Sequence, residues 1–291
     1  MNESLAWLAS EPTAFLGAVT ALGLVIGSFL NVVIHRLPIM LRQAWHADCA
    51  QASGDGPDSP ATREPFNLVV PRSRCPACGH AITAWENVPV LSYVWLRGRC
   101  SACGVRIPLR YPVVELVTEV LSVAVAWRFG PTWQTAGALT LTWVLVALAF
   151  IDLDEQILPD IITLPTLWLG VVLNLGGLFT SLEASVIGAV TGYGFLWTVY
   201  QLFRITTGKE GMGYGDFKLL GMLGAWLGWQ ALPIIVLLSS LAGALVGVAL
   251  ILLRGHDRNV PIPFGPYLAV GGWVALVWGQ DLARAYLTGV A

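Results

Sequence analysis

The chain has 291 residues, of which 56% are hydrophobic and only 12% are charged, with a mean hydropathy of +0.69. A soluble domain carries about 25% charged residues, so the composition excludes an ordinary soluble enzyme and reads as a polytopic membrane protein. The net charge of −2 is uninformative because the sign pattern is strongly local, and no nucleic-acid-binding surface is expected.

Spans of about 20 apolar residues are expected near 14–35, 112–129, 133–151, 161–179, 184–203, 217–232, 233–253 and 264–287. The fold class is therefore all-α, with about eight transmembrane helices. The two spans that meet at Pro233 are short and also read as one re-entrant hairpin. The organisation divides into a first transmembrane helix (1–37), an insert (38–111) and a membrane core (112–291).

The first span has no Lys or Arg before it and Arg36 directly after it. That is the wrong flank for a cleaved signal peptide, and it leaves the N-terminus outside. Asn31 and His35 stand four residues apart on one face of this helix, where interhelical hydrogen bonding is favoured over catalysis.

In the insert, His46 to Glu64 is rich in Ala, Ser, Gly, Asp and Pro and reads as a flexible loop. Two knuckles follow, Cys75-Pro76-Ala77-Cys78-Gly79 and Cys100-Ser101-Ala102-Cys103-Gly104. Two residues between cysteines let both thiolates reach one ion. The following Gly permits the turn that aims backbone N–H groups at sulfur. Four thiolates complete a closed tetrahedral Zn²⁺ site with a structural role. Two disulfides are the alternative, which a reducing cytoplasm opposes. Cys49 is left over in the loop as an ordinary thiol. Trp85 and Tyr93, between the knuckles, pack the small domain or dock it on the membrane.

Glu115 and Glu119 share one face of the second span. They are candidates for holding a cationic substrate or donor group, against plain pairing with Arg106, Arg110 or a neighbouring helix. Asp152 closes the third span in Phe150-Ile151-Asp152-Leu153-Asp154. A carboxylate at the centre of a membrane helix costs about 2.5–3.5 kcal/mol, so acids at membrane depth are functional candidates. Asp154 completes a D-x-D pair of the kind that can hold a divalent metal. Asp160 reads as an N-cap.

A Gly-rich loop, Thr207–Gly213, leads to Gly213-Tyr214-Gly215-Asp216-Phe217-Lys218. Gly213 and Gly215 are expected to supply positive φ or close approach. Asp216 starts a helix, where the dipole favours the ionised form, and Asp152 ends one, where it favours protonation. Lys209 and Lys218 flank this loop and either tune Asp216 or only mark the cytoplasmic side. Phe264, in Pro263-Phe264-Gly265-Pro266, lines a substrate groove or simply opens the last helix.

With eight spans, 14 of the 16 basic residues fall on one side and only Arg128 and Arg284 on the other. The positive-inside rule makes that side cytoplasmic. It puts Asp152 and Asp216 at the cytoplasmic membrane surface. Such a pair suits aspartic peptidase chemistry, in which one carboxylate activates water and the other protonates the scissile carbonyl. An ion-coupled transporter using the same acids, or a Mg²⁺-dependent lipid-phosphate transferase using Asp152 and Asp154, are the alternatives. Transporters keep such acids near the midplane and show inverted repeats.

The Asp152 segment, Gly211–Leu219, Pro261–Tyr267, Gly27–Pro38 and the paired knuckles together resemble the type IV prepilin peptidases, over nearly the whole chain. The closest likeness is to the bifunctional peptidase/methyltransferases of type IV pili and type II secretion. The resemblance implies catalytic aspartates at Asp152 and Asp216 and zinc cysteines at Cys75, Cys78, Cys100 and Cys103. It implies cleavage of the basic leader of prepilins and pseudopilins after Gly, at the cytoplasmic face of the bacterial inner membrane. It further implies N-methylation of the new terminus by S-adenosylmethionine. No Rossmann-like Gly-x-Gly-x-x-Gly motif accompanies that last step, so the donor site is left unassigned.

Overall fold

The structure, a computed structural model, describes residues 11–52, 66–254 and 263–289. Arg63, Arg258, Pro261 and Ile262, used in the charge and motif readings, lie outside them. The described residues are helical, with two isolated β-bridges and no longer strand. The chain forms two compact units that divide between Ala124 and Val125.

In the first unit, helix α1 spans Pro12–Ala52. It runs well beyond the expected apolar span and through the start of the expected loop. Residues 42–52 are mostly Ala, Gln and other good helix formers, and Gly and Pro appear only from Gly54 onward. Cys49 is therefore an exposed helical residue, not a loop residue. Arg36 is buried and donates to the carbonyls of Asn67 (2.9 Å) and Pro71 (2.7 Å), which ties α1 to the insert. The insert carries one short helix, α2 (Leu91–Trp95), and leads into α3 (Arg110–Phe129). A Cβ on Gly27 would come within 2.8 Å of the Glu115 Cα, and one on Gly23 within 3.1 Å of the Glu119 Cα. Those two glycines, one turn apart, let α1 and α3 approach backbone to backbone. Asn31 donates to the Tyr111 carbonyl at 3.1 Å, the interhelical bond its position predicted.

The second unit holds α4 (Trp133–Glu155), α5 (Asp160–Asn174), α6 (Leu182–Thr207), α7 (Tyr214–Leu227), α8 (Leu232–Arg254) and α9 (Gly265–Gly289). Its centre is α7, where Phe217, Leu219, Leu220, Met222, Leu223, Ala225 and Trp226 are wholly buried. A helix apolar on every side belongs inside other helices, and α5, α6 and α9 surround this one. Gly188 of α6 and Gly224 of α7 pack against each other, and Gly170 of α5 receives the Trp226 indole. Trp226 also donates to the Thr166 carbonyl at 2.8 Å. The buried Asn174 amide donates to Ala225 and Trp226 and accepts from Phe179 and Thr180, so all its polar atoms are used.

Among the described residues, four helical segments are long and apolar enough to cross a membrane: α1, α4, α6 and the segment Trp229–Leu253, which includes most of α8. Helix α7 has 14 residues, about 21 Å at the helical rise, against a hydrocarbon core of about 30 Å. The expected span 217–232 breaks at Gly228, whose φ is +83°, before a 3₁₀ turn over Trp229–Ala231. Helix α5, at 15 residues, is likewise short, and α3 carries Arg110, Glu115, Glu119 and Arg128.

Candidate active site

Asp152 lies in the last turn of α4. Gln156 ends that helix in the left-handed region (φ 54°) and returns its N–H to the Asp152 carbonyl at 3.0 Å. Asp216 lies in the first turn of α7, three residues after the N-cap Gly213. Its carboxylate reaches back to the Gly213 backbone amide, which is one half of a capping box. Both carboxylates are buried, at 6% and 7% exposure. They belong to one compact unit, and the Asp152 charge acts on Asp216. One acid thus stands at a helix C-terminus and the other at a helix N-terminus, as the sequence predicted.

Two supports were not evident in the sequence. The Gly265 amide donates to Asp152 Oδ2 at 3.1 Å, and a Cβ there would lie 2.6 Å from that oxygen. Leu158 touches both sides of the site: a Cβ on Gly215 would sit 2.8 Å from its Cβ, and one on Gly265 would sit 3.3 Å from its Cδ1. The Gly in Pro-Phe-Gly-Pro was the available signal for the first. Leu158 offered none. Phe264 itself is half-buried beside Gly265. Gly211 and Gly215 serve close approach, to Phe203 and Leu158, rather than positive φ, whereas Gly213 has φ −80° and open surroundings. Tyr200, Tyr214 and Phe217 form an aromatic cluster that fixes the start of α7 on α6.

The neighbouring charges separate from the pair. Asp160 is not an N-cap. It is the first residue of α5, and its two oxygens each lie 2.7 Å from Lys218 Nζ. Asp154 is exposed, and it forms no metal-binding cluster with other acids or His among the described residues. Glu115, in the first unit, has a buried carboxylate that accepts from the Val90 amide at 2.8 Å and from Ser28 of α1, a neighbouring helix. Val90 has φ 59°, a costly conformation for a β-branched residue. Glu115 therefore anchors the turn that starts α2.

The four knuckle cysteines converge, with all Sγ atoms within 4.8 Å of one another. Tetrahedral bonds of about 2.3 Å place sulfurs about 3.8 Å apart, and Cys75 and Cys103 are 3.8 Å apart. The two knuckles are built alike. Gly79 (φ +72°) and Gly104 (φ +73°) turn the chain, and the amides of Gly79 and Gly104 return to the carbonyls of Cys75 and Cys100. The amides of Cys78 and then Ala77 bring the Cys75 thiol down to about 7. Those of Cys103 and Ala102 lower Cys100 likewise. None of the four is disulfide-bonded, and the donor set fits one thiophilic ion. Glu86, overlooked in the sequence, joins the knuckles. It accepts from Ser101 of the second and from Thr83 after the first, and it lies 3.2 Å from His80. The Ser101 hydroxyl, ahead of Thr83, lowers its carboxyl to about 2. Tyr93 packs within the insert over Gly98, whereas Trp85 is 86% exposed.

Residues 21–129 match the Bacterial Peptidase A24 N-terminal domain, and residues 139–248 match the Type IV leader peptidase family. The chain belongs to the type IV leader peptidase family. Relatives named prepilin leader peptidase/N-methyltransferase include one from Aeromonas hydrophila, 60% identical over 278 residues and 95% of each chain. One from Pseudomonas aeruginosa is 55% identical over 97% of each chain, and one from Burkholderia pseudomallei is 51% identical over 94% of this chain and 89% of its own. No solved structure matches. The family's two matched segments carry the two sites: the cysteines fall in the first and both aspartates in the second.

Proposed function

We propose that this family member is a membrane aspartic endopeptidase. It removes the basic leader of type IV prepilins and pseudopilins after Gly and N-methylates the exposed residue. The observation that carries the reading is that Asp152 and Asp216 are both buried, with Leu158 lying against Gly215, beside Asp216, and against Gly265, which holds Asp152, in a chain 60% identical to a relative named prepilin leader peptidase/N-methyltransferase. The ionised carboxylate takes a proton from a water between the two acids, and the resulting hydroxide adds to the scissile carbonyl. The protonated carboxyl gives its proton to the developing oxyanion. The tetrahedral intermediate then collapses, with a proton passing to the leaving amine. No covalent enzyme intermediate forms. The amides of Gly213 and Gly265 orient the two carboxyls. Cys75, Cys78, Cys100 and Cys103 hold a structural Zn²⁺ that organises the insert. S-adenosylmethionine supplies the methyl group. The basic residues put the aspartates and the zinc domain on the cytoplasmic side of the inner membrane.

The test is to incubate the purified protein with a prepilin, with and without S-adenosylmethionine, and to follow mass. Loss of the leader and then a gain of one methyl group are expected. Asp152→Asn and Asp216→Asn should each abolish the first step, and complete cleavage by either variant would sink the assignment.

A further inference from the structure

A groove of about 530 Å³ opens on the second unit between α6, α8 and α9. Phe195 and Val199 of α6 form one wall, and Ser240 and Ala244 of α8 form the other. Its lining is apolar apart from the hydroxyls of Ser240 and Tyr267. Two further lining residues connect it to the aspartates. Phe264 precedes Gly265, whose amide holds Asp152, and Met212 precedes Gly213, whose amide holds Asp216. The groove is thus continuous with the two backbone segments that position the carboxyls.

The side chains of α8 differ around its axis. Leu237, Leu241 and Leu245 are large and more than half exposed, as suits lipid. The groove side carries Val236 and the small, exposed Ser240 and Ala244, and the space these two leave lets another backbone come close, while Gly243 packs against the Tyr267 ring. A lipid acyl chain needs no such approach, whereas a helix does. We propose that this groove seats the apolar helix that follows the scissile bond of the substrate, and so delivers that bond to Asp152 and Asp216. This rests on the peptidase reading above, in which the substrate is a basic leader joined to an apolar helix.

The experiment compares two substrates in proteoliposomes containing the full-length protein. One is an intact prepilin, and the other is a soluble peptide with the leader and the first few residues after the cut. In the Ala244→Leu variant the groove is filled from an exposed position. The KM for prepilin should rise at least tenfold with kcat nearly kept, and the penalty on the short peptide should be at least tenfold smaller. Equal loss on both substrates, or no change on either, overturns the groove. Cleavage of neither substrate by the unaltered protein overturns the peptidase reading instead. In a second measurement, a Ser240→Cys variant is oxidised with prepilins carrying single cysteines along the apolar helix. Disulfides at helically spaced positions are expected, and no crosslink at any position contradicts the proposal even if the leucine variant misfolds.

Discussion

Around Cys75, Cys78, Cys100 and Cys103 the chain buries little, whereas Asp152 and Asp216 are themselves buried and Asp216 opens a helix that is buried over most of its length. Cys78 and Cys103 are exposed, and the turns that present the sulfurs are closed by hydrogen bonds between near neighbours in the chain. Such a scaffold has little apolar contact of its own, so an ion held by the four cysteines would supply much of its order. The carboxylates instead stand where α4 ends and α7 begins, and the wholly buried residues of α7 are packed without room for an added methyl group at Gly188, Gly192 or Gly224. The first site should yield to metal removal and tolerate changes of side-chain size nearby. The second should ignore metal and fail on single added atoms.

The largest break in this contrast comes from a chelator. Structural zinc is worth about 10–16 kcal/mol in small finger peptides, more than any local contact in the insert. Dialysis against a strong chelator should make residues 66–109 protease-sensitive while far-UV circular dichroism stays near that of the untreated protein. An insert that stays resistant after complete metal loss would remove the contrast.

Next in size is Gly265→Ala. The new Cβ displaces the end of a short side chain, Asp152 Oδ2, which costs the fold little. A misplaced reacting group costs about 100-fold in rate. A kcat lowered by that order with an almost unchanged melting temperature is expected, and full activity would show that the Gly265 contact does not position Asp152.

Glu115→Ala sharpens the comparison within the first unit. It leaves the Val90 amide without its charged partner, a loss of about 1.5–3 kcal/mol. Hydrogen exchange should then accelerate at Val90 and through Leu91–Trp95. Unchanged exchange there would mean that the turn is held by something else. The smallest effect belongs to Lys218→Met. Its pair with Asp160 is partly exposed, and such pairs contribute up to about 1 kcal/mol. A small fall in melting temperature with leader removal intact is expected, and abolished cleavage would instead draw Lys218 into the chemistry.

The same contrast explains what the sequence disclosed. CxxCG spacing is a local instruction, so the cysteine cluster was readable before any fold was known. Asp152 and Asp216 were readable as costly charges in apolar runs, but their meeting depends on how α7 is wrapped by its neighbours, and no spacing encodes that. Glu115 was read as a holder of a cationic group or as a pair for an arginine or a neighbouring helix. Its contact with Ser28 is of the last kind, whereas its bond to the Val90 amide is one the sequence does not display. The long first helix was missed because Ala and Gln suit a helix and a polar loop alike. The span over 217–232 was drawn too long because apolar content does not reveal a left-handed Gly228.

Leu158 gives the two carboxyls a common reference point. Its side chain lies against Gly215, next to Asp216, and against Gly265, which holds Asp152. A displacement of this one side chain therefore reaches the segments that carry both acids. A Leu158→Ala variant should alter the pH–rate profile of leader removal, and an unaltered profile would rule out that link. A change at Leu158 is thus felt beside both acids at once, although 64 residues of sequence separate them.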